Sequence, residues 1–223
     1  MTAKSKIPDP DQRKSDILAA MLPHVPFDGW SAIALTRAAE DLGIDSALVQ
    51  LAFPGGPVEA IGYFAAQADE EMRRAIEAKA AENLKLRERI TLAVRKRIGA
   101  VAPHRQAERR AVTLLALPIY APDGFAILCR TVDSIWRAVG DRSTDFNYYT
   151  KRLTLAGVYS ATLLYWLGDE SEGYEATWDF LDRRINDVMM VEACKAEMGK
   201  PLAALPDIWG FLGKLRYPGS GGS

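Results

Sequence analysis

The stretch Ser31-Ala-Ile-Ala-Leu-Thr-Arg-Ala-Ala-Glu-Asp-Leu-Gly-Ile-Asp-Ser-Ala-Leu-Val-Gln-Leu-Ala-Phe53 carries two helix starts and one helix stop within 23 residues. Ser31 has a hydroxyl suited to a helix N-cap, and Trp30 and Leu35 stand at the two positions of a hydrophobic staple. Gly43 sits where a left-handed C-cap is wanted, because only a residue without Cβ takes that conformation at little cost. Asp45 then caps a short helix through about Leu51, which Pro54-Gly-Gly-Pro57 stops. Two helices, about 31–42 and 45–51, are therefore joined by a tight turn.

The same periodicity extends in both directions. A helix is expected over about 11–21, with Ile17, Leu18 and Met21 on one face, and His24-Val-Pro-Phe-Asp-Gly29 breaks it. Pro57 suits the first turn of a long helix on which Val58, Ile61, Phe64, Ala68, Met72 and Ile76 form a stripe. Further helices are expected over about 82–101, 107–117, 123–139, 145–167 and 174–195. Few windows alternate with period two, so the reading is all-α, with roughly nine helices. At 223 residues, 48% of them apolar, a sizeable core is available. The expected organisation is a helix-turn-helix-like N-terminal domain over 1–56, a helical domain over 57–198, and an amphipathic segment with a flexible tail over 199–223.

Composition narrows function. The chain has 28 basic and 29 acidic residues, so no global field pulls it to nucleic acid. Residues 11–56 hold three cations (Arg13, Lys14, Arg37) against six acids, a local charge of −3, and Asp45–Phe53 has no Lys or Arg. Phosphate neutralisation dominates DNA affinity, so no nucleic-acid partner is expected. Cys129 and Cys194 stand alone, and His24 and His104 follow no metal-ligand spacing. No nucleophile–base pair or metal cluster is visible, so neither an enzyme nor a resident cofactor is expected. The N-terminus has no apolar run and carries acids early, from which a cytoplasmic location is expected. Residues 73–110 carry twelve cations against four acids, which suggests a cationic face toward a membrane or an acidic partner.

Three stretches suggest binding. Leu153–Leu167 is uncharged for fifteen residues; as a helix it spans about 22 Å at 1.5 Å per residue, short of the roughly 30 Å of a bilayer core. It reads as a buried central helix that neighbours or an apolar ligand must surround. Gly157, Ser160 and Ala161 are small, and with Leu114, Leu117, Phe125 and Leu128 they leave room for a tunnel. In the C-terminal segment, Leu205, Ile208, Trp209, Leu212 and Leu215 recur at threes and fours beside Lys214 and Arg216, the pattern of an interfacial amphipathic helix. Tyr148 and Tyr149 are adjacent, about 100° apart on a helix, so at least one reaches a surface beside Asp145 and Arg152.

The helices over 11–51 resemble the helix-turn-helix of tetracycline-repressor-type regulators, and the alternative function is a ligand-sensing transcriptional regulator of that type. Four motifs carry a closer resemblance: His24-Val-Pro-Phe-Asp-Gly-Trp-Ser31, Val132-Asp-Ser-Ile-Trp136, Gly140-Asp-Arg-Ser-Thr-Asp-Phe-Asn-Tyr-Tyr-Thr-Lys-Arg152 and Thr177-Trp-Asp-Phe-Leu-Asp-Arg-Arg-Ile-Asn-Asp-Val-Met189. They resemble the accessory lipid-binding proteins of ubiquinone (coenzyme Q) biosynthesis, the ninth member of that pathway's set. The resemblance implies a tetracycline-repressor-like fold and a non-enzymatic protein holding an isoprenoid or quinone lipid. The implied pocket is assigned to Leu114, Leu117, Phe125, Leu128, Trp136, Leu153, Gly157, Ser160 and Leu164. It also implies a partner, the di-iron demethoxyubiquinone hydroxylase, facing Asp133, Ile135, Asp145, Tyr148 and Tyr149, with Arg152 beside them. A homodimer and a peripheral place at the inner face of the cytoplasmic membrane complete the expectation.

Overall fold

The computed structural model describes residues 9–77, 84–141 and 146–202, without the side chains of residues 77, 146–149, 189 and 191–202. Among the described residues ten α-helices follow one another: α1 (Pro10–Met21), α2 (Val25–Asp28), α3 (Ala32–Leu42), α4 (Ser46–Ala52), α5 (Gly56–Glu77), α6 (Leu86–Val101), α7 (Arg105–Leu115), α8 (Ala121–Ala138), α9 (Phe146–Gly168) and α10 (Glu175–Leu202). No strand occurs among the described residues. The chain divides into two compact units, Met1–Leu181 and Asp182–Ser223.

The stops and starts read from residues 31–53 are where local chemistry puts them. Ser31 Oγ accepts from the Ala34 amide at 3.2 Å, and Asp45 Oδ1 from the Ala47 amide at 2.8 Å. Gly43 is left-handed, at φ 61°, and closes α3. A side chain there would be strained by about 1–2 kcal/mol. The break expected at residues 24–29 is instead a single helical turn, α2, which Pro26 starts and left-handed Gly29 ends. Trp30 is buried, and its ring meets Phe64 at 5.6 Å rather than serving only as a local staple.

Two layers of contact build the first unit. Helices α1, α3 and α4 pack on one another around Ile17, Leu18, Met21, Ala34 and Ala38. Helix α5 packs along α6 and α8, and α8 along α9, around Met72, Ile98, Ile135 and Trp166. The two groups are tied by long-range hydrogen bonds: Trp30 Nε1 donates to the Ala107 carbonyl at 2.9 Å, and Arg110 Nη2 to the Pro26 carbonyl at 2.6 Å.

Helix α9 departs from the expected buried rod. Leu153 and Leu164 are 72% and 58% exposed, so one face of α9 lies open while Leu155, Tyr159, Leu163 and Trp166 are buried. An uncharged sequence marks such a helix as apolar but does not by itself say that it is surrounded.

Candidate functional site

Helices α5, α6, α7, α8 and α9 enclose a cavity of about 230 Å³. Ile61, Phe64 and Ala65 come from α5, Ala111, Val112 and Leu115 from α7, Ile127 and Leu128 from α8, and Leu163 and Leu164 from α9. Gly124 lies at the close approach of α7 and α8; a Cβ there would stand 3.1 Å from Leu115 Cβ and 3.2 Å from its carbonyl oxygen. Exposure falls across the wall from Leu164 and Ala116 at the mouth to Thr131, 1% exposed, at depth. A cavity of about 150 Å³ with apolar walls takes up benzene, so this one has room for a substituted ring or a short isoprenoid stretch.

The deep wall is polar. Arg97 of α6, Glu108 of α7, Thr131 of α8 and Tyr159 of α9 line the cavity, and all four are buried. Behind them, Asp69 of α5 accepts from Arg97 Nε at 2.5 Å and from Thr131 Oγ1 at 3.1 Å. Each of five helices thus gives one polar side chain to a single buried cluster. Arg97 Nη1 has no hydrogen-bond partner among the described residues. Likewise, no hydrogen bond from the described residues reaches the Glu108 carboxyl or the Tyr159 hydroxyl. An unmet buried donor or acceptor costs about 1–3 kcal/mol, which marks the cluster as a place where something else completes the bonding. Burial raises the Glu108 pKa against the pull of Arg97, and burial also raises that of Tyr159.

A second cluster joins α8 to α9 at the Gly140–Arg152 motif. Arg152 donates through Nε and Nη2 to Asp133 Oδ1 at 2.9 and 2.7 Å, and Arg137 Nε bridges Asp133 Oδ2 at 2.6 Å. Lys151 Nζ reaches Asp141 Oδ1 at 3.2 Å and lies 5.6 Å from the centre of the Trp136 ring. Ile135 is fully buried and anchors α8 from inside, so any part it plays in an outer contact is indirect. The backbone of Tyr148 and Tyr149 lies in the first turns of α9, but their side chains, together with all of Asp145, fall outside the described residues.

Among the described cations of the run over 73–110 only Arg97 is buried, but many of the others are engaged with neighbouring groups rather than forming one free face. Arg73 and Arg74 pair with Glu70, Arg89 Nη1 donates to the Val139 carbonyl at 2.9 Å, and Arg97 is buried against Asp69. Arg105 Nη2 donates to the carbonyls of Trp166 and Asp169 at 2.6 and 2.5 Å, and Arg109 to that of Leu167, closing the C-terminal end of α9.

Of the nine residues assigned to a lipid pocket, Leu128, Ser160 and Leu164 line the cavity. Leu114 and Leu117 lie on the other side of the α7 region, in a groove with Gly29 and Arg109. Phe125 and Leu153 face outward, Gly157 borders open space, and Trp136 is buried away from the cavity. The four-residue spacing of Ala107, Ala111 and Leu115 is the sequence signal for the inner face of α7. No local signal singled out Arg97 or Glu108, whose role depends on residues far along the chain. Leu205, Ile208, Trp209, Leu212 and Leu215 lie outside the described residues. No described helix is long and apolar enough to cross a membrane.

Residues 121–192, from α8 into α10, match the family model described as COQ9. Over 186 residues and 80% of its length the chain is 37% identical to "Ubiquinone biosynthesis protein COQ9, mitochondrial" of Rattus norvegicus, and 36% identical to the Homo sapiens protein of that name. The chain is a relative of the COQ9 proteins. It spans 59% of the rat COQ9 protein's length and 58% of the human one's. The COQ9 match takes in the α8–α9 ion cluster, the Tyr148-Tyr149 pair and the α8 and α9 walls of the cavity. Among solved structures, the TetR transcriptional regulator from Nitrosomonas europaea superposes with a TM-score of 0.66, covering 78% of this chain and 97% of that one at 23% identity. That likeness is one of fold, and it agrees with the tetracycline-repressor-like architecture expected from the helix-turn-helix.

Proposed function

We propose that this COQ9 relative serves ubiquinone biosynthesis without catalysing a step. It binds an isoprenoid or quinone lipid in the α5–α9 cavity and presents it to the demethoxyubiquinone hydroxylase. The cavity carries the reading: its wall is apolar enough to desolvate isoprenoid carbon, at about 0.8 kcal/mol per buried methylene, yet its opening beside Leu164 leaves a path in and out. The partner face is the α8–α9 ion cluster with Asp145, Tyr148 and Tyr149, the part of the chain that matches the COQ9 family model. Residues 199–223 supply reversible contact with the inner face of the cytoplasmic membrane through Trp209 and the leucines beside it.

Organic extraction of the purified protein followed by mass spectrometry tests the reading. Wild-type protein is expected to release a long-chain isoprenoid or quinone. Ala111→Leu, which fills the cavity from α7, is expected to release several-fold less at an unchanged fold. Release of the same lipid in equal amount from both proteins would remove the cavity from the account.

A further inference from the structure

The polar wall of the cavity raises a question that the lipid reading leaves open: which end of the molecule goes in. Arg97, Glu108 and Tyr159 are 2%, 7% and 4% exposed and line the deep part, while the mouth beside Leu164 is apolar. A hydrocarbon end pushed to that depth would leave Arg97 Nη1 without a partner and would exclude water from the Glu108 carboxyl and the Tyr159 hydroxyl, which also line the cavity. An oxygen-bearing end would complete them.

We propose that the cavity takes its ligand head first, with Arg97 and Tyr159 hydrogen-bonding a neutral, oxygen-bearing head such as a quinone, phenol or alcohol. The inference rests on the lipid reading of the cavity and adds the chemical class of head. Charge decides against an anionic head. The one guanidinium of the cluster is already paired with the Asp69 carboxyl at 2.5 Å, so no unbalanced positive charge is available for a phosphate or a fatty carboxylate. Neutral carbonyl and hydroxyl oxygens need only what the cluster has to give: an N–H from Arg97 and an O–H from Tyr159, both on residues that line the deep wall. Size agrees, since about 230 Å³ admits a substituted ring and the first part of a tail, while the remaining isoprenoid leaves through the apolar mouth.

Equilibrium dialysis of the delipidated full-length chain tests this with three probes. They are a ubiquinone with a two-isoprene tail, a headless isoprenoid hydrocarbon of matched length, and farnesyl diphosphate. The quinone is expected to bind at least about tenfold more tightly than either of the others. Tyr159→Phe, which removes one oxygen, and Arg97→Lys, which keeps the charge beside Asp69 but removes Nη1, are each expected to weaken quinone binding about three- to tenfold without weakening hydrocarbon binding. If Arg97→Lys does not fold, as judged by thermal melting, Tyr159→Phe decides alone. Hydrocarbon binding equal to quinone binding, with no response in the variants, would overturn the head-first mode and leave the lipid reading standing, as would the diphosphate binding most tightly. No binding of any probe, or binding that Ala111→Leu leaves untouched, would overturn both.

Discussion

Asp169 gathers the start of α10 into one carboxylate. It accepts from the Ser171 amide at 2.8 Å, the Thr177 amide at 2.9 Å and Thr177 Oγ1 at 2.5 Å. Burial raises its pKa, but the hydrogen bonds from Thr177 and Ser171 outweigh that and hold it at about 2. A carboxyl whose folded pKa lies below its unfolded value of about 3.9 contributes stability that is complete above the unfolded value and is lost as pH falls toward the folded one. Asp169→Asn is therefore expected to cost about 1–2 kcal/mol at pH 7, the usual range for a lost cap, and the gap to wild type is expected to close between about pH 4 and pH 2. Melting curves across that range check it, and a gap that does not change with pH would refute the assignment. Sequence reading failed at the residue scale wherever a side chain answers to a distant partner. Arg97 sits in a run of cations and looks solvated, yet it is buried because Asp69 waits 28 positions earlier on another helix. The caps at Ser31, Gly43 and Asp45 were legible because their partners lie within four residues.

Elements were the most legible scale, and their phase was the least. The expected helix over 107–117 became α7, Arg105–Leu115, with its inner face on Ala107, Ala111 and Leu115. Reading the face through Leu114 and Leu117 turned it by about a quarter of a turn, since successive residues stand 100° apart. The motif joining α8 and α9 was visible as a string of charged and aromatic residues, and the structure adds which of them meet. Arg152 sends two hydrogen bonds to one oxygen of Asp133, and the pair is largely shielded, at 15% and 23% side-chain exposure. Exposed pairs contribute about 0.2–1 kcal/mol, and hydrogen bonds to charged groups about 1.5–3. A double-mutant cycle on Asp133→Ala and Arg152→Ala, read by denaturant melting, is expected to give a coupling of about 1 kcal/mol or more. Additive losses would show that the two side chains do not hold α8 to α9.

At the scale of the whole molecule, the fold of a DNA-binding regulator carries a surface poorly suited to DNA. The helix in the recognition position, α4, has no Lys or Arg, and two of the three cations nearby are engaged: Lys14 with Glu59 at 2.9 Å and Arg37 with Asp28 at 2.8 Å. Sub-micromolar, sequence-selective DNA binding at physiological salt is expected to be absent in a mobility-shift or anisotropy assay; its presence would revive the regulator reading. The likeness to the TetR regulator is thus a matter of how helices stack, because function lives in the sites placed on a fold. The five-helix polar cluster also bears on how the chain reaches that fold. Asp69, Arg97 and Thr131 leave water together only when α5, α6 and α8 have all docked, and the links span 28 and 62 residues of chain. Contacts of such long sequence separation are expected to form after the folding barrier, in which case their loss speeds escape from the native state more than it slows arrival. In stopped-flow chevrons Asp69→Asn is expected to steepen the rate of unfolding and to leave the refolding arm nearly in place, which makes the charged heart of the cavity a lock on the finished protein rather than a guide to its assembly.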